Sequence, residues 1–204
     1  VWVAKSAERT ILIDIGFNAE IAAKRKRDHL RCPIGALELV GVKPADVRDV
    51  IITHLHYDHA GNFPLLPNAE FHIQETEVHF ATGRYMRYDK CGDAYEPEDI
   101  CDLVRLNFGK RVKFYDGDGE VAPGVRVHFT GGHTAGLQFA SVNTKRGWVV
   151  VASDTSHFYE NMFTERPFTR AFHVGQMLEA FDRLREVAPS DAHIVPGHGS
   201  RVMQ

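Results

Sequence analysis

The chain predicts a mixed α/β fold, on three observations. Short apolar, β-branched runs recur along it, among them residues 11–15, 50–53 and 148–152, and such runs read as buried strands. Residues 97–107 and 175–187 repeat their apolar side chains at the helical period, as an amphipathic helix lying on a core does. Polar residues able to bind or catalyse stand just past the ends of several of the apolar runs, where side chains from distant segments of a layered fold converge. With 204 residues and 44% hydrophobic content, the chain is long enough for one substantial core. No repeat, low-complexity tract or linker interrupts it, so residues 1–204 read as a single domain.

The elements follow in order. Residues 1–4 look like a strand already under way, which implies that a segment ahead of Val1 belongs to the fold, and residues 11–15 read as a buried strand ended by Gly16. Residues 34–40 form a short helix closed by Gly41, and 43–47 a helical turn opened by Pro44. A strand over 50–53 runs on to His54. Strand 69–73 leads into a helix from Glu75 to Ala81, and helix 97–107 is closed by Gly109. Strands follow near 112–115, 125–130, 137–142 and 148–152, the last two joined by a tight turn at 143–146. Helix 175–187 places Met177, Leu178, Phe181 and Leu184 on one core-facing stripe. The basic run Lys24-Arg25-Lys26-Arg27 reads as a solvated face.

Residues 53–61 read Thr-His-Leu-His-Tyr-Asp-His-Ala-Gly, which sets His54, His56, Asp58 and His59 within six positions. A strand ending at His54 sends alternate side chains the same way, so His54 and His56 face one point while the following turn directs Asp58 and His59 to a second. Imidazole nitrogens with an added carboxylate suit zinc or its neighbours in a hydrolytic site. Three further candidates follow apolar runs: His133 in Gly131-Gly132-His133-Thr134-Ala135-Gly136, Asp154 in Ser153-Asp154-Thr155, and His198 in Pro196-Gly197-His198-Gly199. Glycines beside His133 and His198 allow close approach of backbone.

That order of ligands resembles the metallo-β-lactamase superfamily, over nearly the whole chain from Asp14-Ile15-Gly16 to His198-Gly199. Within it, residues 153–162 (Ser-Asp-Thr-Ser-His-Phe-Tyr-Glu-Asn-Met), Arg166-Pro167-Phe168 and Arg183-Leu184 are similar to the N-acyl homoserine lactone lactonases. The resemblance implies an αββα sandwich of two mixed sheets flanked by helices, with N-terminal strands missing. It implies that His54, His56 and His133 bind one metal, that Asp58, His59 and His198 bind another, and that Asp154 bridges them. Zinc is the first candidate, and the same ligands admit manganese, iron and cobalt. The implied activity is opening of a lactone ring by a metal-bridging hydroxide, with Asp58 passing a proton to the leaving alkoxide. The alternative is a metallo-hydrolase of another ester, a hydroxyacylglutathione-like thioester or a cyclic amide.

Two departures bear on substrate. The lactonases carry a tyrosine three residues after the bridging aspartate, where this chain has His157, so His157 is expected to donate to the substrate carbonyl, with Tyr159 as the fallback. The Gly199 after His198 is commoner among thioesterase-like members, whereas lactonases place an aspartate there. His72, His128, His79, His29, His173 and His193 are read as structural or exposed, and residues 84–88 as a pocket wall or surface loop. A net charge of −3 gives no basic field for nucleic acid. Cys32, Cys91 and Cys101 show no metal or disulfide spacing, so free thiols in a cytoplasmic protein are expected. Neither an apolar span of membrane length nor a signal peptide is visible. The expected partner is a small-molecule substrate, with a homodimer admitted and neither nucleic acid nor membrane.

Overall fold

The computed structural model describes residues 1–199 and Val202. The strands and helices are β1 (Trp2–Lys5), β2 (Thr10–Ile13), α1 (Ala19–Lys24), β3 (Asp49–Ile51), α2 (Tyr57–Ala60), β4 (Glu70–Gln74), α3 (Glu75–Ala81), α4 (Asp89–Gly92) and α5 (Pro97–Phe108). They continue with β5 (Val112–Tyr115), β6 (Gly119–Ala122), β7 (Val125–Phe129), β8 (Gln138–Thr144), β9 (Gly147–Ser153), α6 (Tyr159–Thr164), α7 (Val174–Val187) and β10 (Ile194–Pro196). Residues divide into two compact units, one of Val1–Ile73 with Ala81–Phe114, the other of Gln74–Phe80 with the chain from Tyr115 onward. Among the described residues no helix is long and apolar enough to cross a membrane.

The first unit is built on a five-stranded sheet in the order β1-β2-β3-β4-β5. β1 and β2 are antiparallel, while β2, β3 and β4 run parallel. Parallel strands are covered on both faces, and accordingly Ile11, Leu12, Ile13, Val50, Ile51, Phe71 and Ile73 are all buried. Phe63 packs edge-on against Phe71 at 4.9 Å. β3 stops at Ile51, three residues short of the expected His54. The reason lies in Asp14, whose backbone turns left-handed (φ 59°) at the end of β2. Its carboxylate, not a neighbouring strand, takes the Thr53 N–H at 2.8 Å.

The basic run is only partly a solvated face. Lys24 and Arg25 both bind the buried Glu96 carboxylate, at 2.5 and 2.7 Å, and the Arg25 guanidinium lies 4.0 Å above the Tyr57 ring. Burial alone would raise the Glu96 pKa, but the two cations outweigh it and hold the carboxyl below its usual value. α5 opens on Pro97, with Glu98 and Asp99 in its first turn, where the helix dipole favours anions. Asp99 is nonetheless pushed up to about 7, by burial first and by the nearby Glu96 charge second. Its carboxyl is therefore protonated in the folded chain at a pH where an unfolded one is ionised. A raised folded pKa contributes stability that is complete below about pH 4 and is lost as pH rises through about 7. Asp99→Asn, which keeps the neutral shape, is expected to leave stability unchanged at pH 4 and raise it by roughly 2–3 kcal/mol at pH 8. Thermal melts of both proteins at the two pH values check this, and an equal gap at both removes the protonated carboxyl.

The second unit carries a five-stranded sheet in the order β10-β9-β8-β7-β6, antiparallel except for the parallel β10–β9 pair. On it lie α6 and α7, their Met162, Phe181 and Leu184 buried with Phe139, Val150, Ala152, Ala188 and Ile194. The expected stripe of α7 is displaced: Met177, Phe181 and Leu184 are buried, but Leu178 is 40% exposed and Ala180 takes its place inside. At helical spacing 177, 180, 181 and 184 share a face, and 178 falls beside it. α3 is tied to this unit by Glu77, a buried carboxylate that accepts from the Thr134 hydroxyl at 2.6 Å and the Gly136 N–H at 3.0 Å. The strand β6 and the helix α6 were not expected, each being too short to show a period.

Candidate functional site

In the first unit the His-x-His-x-Asp-His run follows β3 without regular secondary structure and closes as the single turn α2. His56 stands at the helix start, its carbonyl accepting from His59 N and Ala60 N at 3.0 and 3.1 Å. His54, His56 and His59 are buried and Asp58 is half-buried. His54 Nε2 and His56 Nδ1 come to 3.1 Å, and the Asp58 carboxylate lies 3.7 Å from His59 Nε2. The segment 94–96 braces this turn: Tyr57 N–H donates to the Ala94 carbonyl at 2.8 Å, and the Tyr95 ring stands edge-on to His56 at 4.8 Å.

One residue outside the predicted set governs these side chains. Asp14, 4% exposed, accepts from His59 Nδ1 at 2.7 Å and from the Thr53 hydroxyl at 2.9 Å. A carboxylate only accepts, so in the neutral ring His59 carries its proton on Nδ1 and presents a bare lone pair at Nε2. The Thr53 hydroxyl, having given its hydrogen to Asp14, accepts from His54 Nδ1 at 3.1 Å. His54 Nε2 is thereby also a bare lone pair, turned toward His56. One carboxylate sets the tautomer of two histidines, the outer support that metal-binding imidazoles require. A sequence signal for it existed in the Asp14-Ile15-Gly16 run, without anything to say where the carboxylate points.

In the second unit Asp154 follows β9 through Ser153, a non-glycine residue in the left-handed region (φ 48°). Such a conformation costs on the order of 1 kcal/mol and persists where its surroundings over-determine it. Here β10 supplies them. A register shift between Val195 and Pro196 brings Pro196 beside Ser153, and a Cβ on Gly197 would stand 2.7 Å from the Ser153 carbonyl oxygen. Gly197 N–H and His198 N–H then donate to the carbonyls of Ser156 and His157, at 3.0 and 2.9 Å.

Three imidazoles face the buried Asp154 carboxylate: His133 Nε2 at 3.1 Å and His157 Nε2 at 3.0 Å from Oδ2, and His198 Nε2 at 3.0 Å from Oδ1. His133 is held by its other nitrogen, Nδ1 donating to the Arg170 carbonyl at 2.7 Å. The loop bearing that carbonyl is fixed in turn, Phe172 N–H and His173 N–H both meeting the Gly132 carbonyl at 2.8 Å. In the neutral ring His133 Nε2 is then a lone pair set against a carboxylate oxygen. Two acceptors 3.1 Å apart repel unless a cation or a proton joins them, so the donor chemistry of each unit fits a divalent metal.

Burial lowers the pKa of His157 against the opposing pull of Asp154. Tyr159 opens α6 and stacks on Phe163 at 6.0 Å. His72 Nε2 meets Asp49 at 3.1 Å, His128 bridges Asp118 and the Ser141 hydroxyl at 3.1 and 2.8 Å, and His173 caps α7 by accepting from Gln176 N–H. Residues 84–87 form a short 3-10 turn.

Known proteins place this geometry. The metallo-beta-lactamase superfamily model matches residues 1–198. An N-acyl homoserine lactonase of Bacillus thuringiensis is 34% identical over 163 residues, 79% of this chain and 59% of that protein. A second, from Agrobacterium fabrum, is 28% identical over 171 residues, 74% of this chain and 60% of its own length. The chain thus spans about three fifths of these relatives. Among solved structures, a quorum-quenching N-acyl homoserine lactone lactonase superposes with TM-score 0.80 at 30% identity, covering 98% of this chain and 78% of its own. An N-acyl homoserine lactone hydrolase with the product N-hexanoyl-L-homoserine at its catalytic metal centre gives 0.81 at 28%, covering 98% and 80%. With its two mixed sheets and flanking helices and a family match over residues 1–198, the chain belongs to the metallo-β-lactamase superfamily.

Proposed function

We propose that this chain hydrolyses the ring ester of N-acyl homoserine lactones at a pair of divalent metals. The observation that carries the reading is the likeness, over almost all of the chain, to a hydrolase holding N-hexanoyl-L-homoserine at its metal centre. The locked tautomers of His54, His59 and His133 make it chemically competent.

In this reading His54, His56 and His133 would hold one metal and Asp58, His59 and His198 the other, with Asp154 serving as a ligand to both. When bound, such a pair supplies an acidified water as nucleophile and a Lewis acid for the substrate carbonyl. The water oxygen bonds to the carbonyl carbon, the ring carbon–oxygen bond breaks, and Asp58 carries the proton of the attacking water to the departing alkoxide. Asp58 suits that role because its side chain stays 24% exposed while its histidine neighbour is buried. Zinc is the first candidate metal.

Ring opening leaves a carboxylic acid that ionises at neutral pH, so an indicator dye reports turnover directly. Protein loaded with zinc is expected to turn over N-hexanoyl homoserine lactone well above glutathione thioesters, to stop after chelation and to recover when zinc is returned. Strong thioester turnover without lactone turnover overturns the substrate, and activity that survives chelation overturns the metals.

A further inference from the structure

We infer that His157 is a positioning residue for the Asp154 carboxylate, with Nε2–H donating to Oδ2. The inference rests on the dinuclear reading above. It starts from a difference between two rings that both face the same oxygen, His133 Nε2 at 3.1 Å and His157 Nε2 at 3.0 Å. His133 has spent its proton on the Arg170 carbonyl through Nδ1, which leaves Nε2 a lone pair suited to a metal. His157 has not: its Nδ1 is buried and no protein group among the described residues hydrogen-bonds it.

A neutral imidazole holds one proton on one nitrogen. On Nδ1 that proton would be a buried donor with nothing to meet, and Nε2 would set a lone pair against a carboxylate. On Nε2 it makes a charge-assisted hydrogen bond instead. The proton therefore sits on Nε2, and this nitrogen is committed to Asp154.

The ring is built to hold that direction. It is 5% exposed, stacks on Phe168 at 3.9 Å and 15° and on His198 at 5.2 Å and 22°, and meets His133 edge-on at 4.9 Å. The His157 carbonyl holds the backbone of His198 at 2.9 Å. The sequence expectation set a substrate carbonyl opposite this ring; the geometry puts the carboxylate there.

The test compares His157→Phe, which keeps the stacked plate and removes both nitrogens, with His157→Gln, which keeps an N–H donor at the reach of Nε2. Metal affinity is measured by competition with a chelator, and the cobalt-substituted proteins are compared by visible absorption. His157→Phe is expected to bind one metal 10–100-fold more weakly, the scale set by loss of an outer partner, and to shift the cobalt bands. His157→Gln is expected to restore both. Unchanged affinity and spectrum in His157→Phe, with only turnover reduced, overturns the inference in favour of a substrate donor. Loss of a full metal equivalent at saturation in both variants overturns it in favour of a ligand. Should His157→Phe fail to fold, His157→Gln decides alone, since wild-type affinity and spectrum support the inference and their loss overturns it. A wild-type stoichiometry of one overturns the dinuclear reading only, because the variants still report whether the remaining metal depends on the direction of Asp154.

Discussion

Asp154→Ala is expected to lose metal and activity together, by more than any other single change. Three imidazole nitrogens lie 3.0–3.1 Å from this carboxylate, which is 3% exposed. Alanine removes the carboxylate that faces all three. Loss of an outer partner of a metal ligand costs about 10–100-fold in affinity, and a residue that touches the metal itself exceeds that range. Elemental analysis of protein purified without chelator reads about two metals per chain for the wild type and at most one for the variant, with turnover lost. His72→Ala is the control: that ring is also buried and bound to a carboxylate, Asp49 at 3.1 Å, and it should spare metal and turnover. Equal damage from the two changes would mean that Asp154 is no ligand.

The second large effect is expected at Asp14, a residue with no place in the ligand set. Asp14→Asn keeps the shape but can turn an N–H toward His59 Nδ1, now 2.7 Å from the carboxylate. To avoid two opposed donors, the ring moves its proton to Nε2, and the lone pair that binds metal is gone. Affinity is expected to fall about 10–100-fold, with turnover falling alongside at limiting metal. Asp14→Ala should add a stability loss of about 2–4 kcal/mol, since the Thr53 N–H and hydroxyl and the His59 ring lose a buried acceptor at once. Chelator competition and thermal melts of metal-free protein separate the two effects. Wild-type affinity in Asp14→Asn would show that the tautomer of His59 is set elsewhere.

What was legible in the sequence was what repeats locally. The His54-to-His59 run shows its chemistry by spacing alone, and His133, Asp154 and His198 each follow an apolar run that did become β7, β9 or β10 or the turn beyond it. α5 and α7 carried a clear period. What was hidden depends on partners far along the chain. Asp14 reads as a turn residue until Thr53 and His59 fold against it, 39 and 45 residues later. The carbonyl that holds His133 belongs to Arg170, 37 residues on, and a carbonyl leaves no mark in a sequence. Lys24 and Arg25 read as solvated because Glu96, 72 and 71 residues away respectively, is one acidic residue among many. β3 seemed to reach His54 because the apolar run continues to Thr53, but at Thr53 the backbone N–H turns to the Asp14 carboxylate.

The two units reach the same end by different supports, and this makes them unequal before mutation. In the first, the proton of His59 is placed by a side chain, so many substitutions at Asp14 or Thr53 disturb it. In the second, the proton of His133 is placed by main chain, and every amino acid at position 170 presents that same carbonyl. Random variation at position 170 is therefore nearly silent for His133, whatever it does to the surface. The vulnerable neighbours are Phe172 and His173, where a proline would delete a backbone N–H now given to Gly132. A screen for metal-deficient variants should crowd its hits onto side-chain identity in one unit and onto backbone geometry in the other.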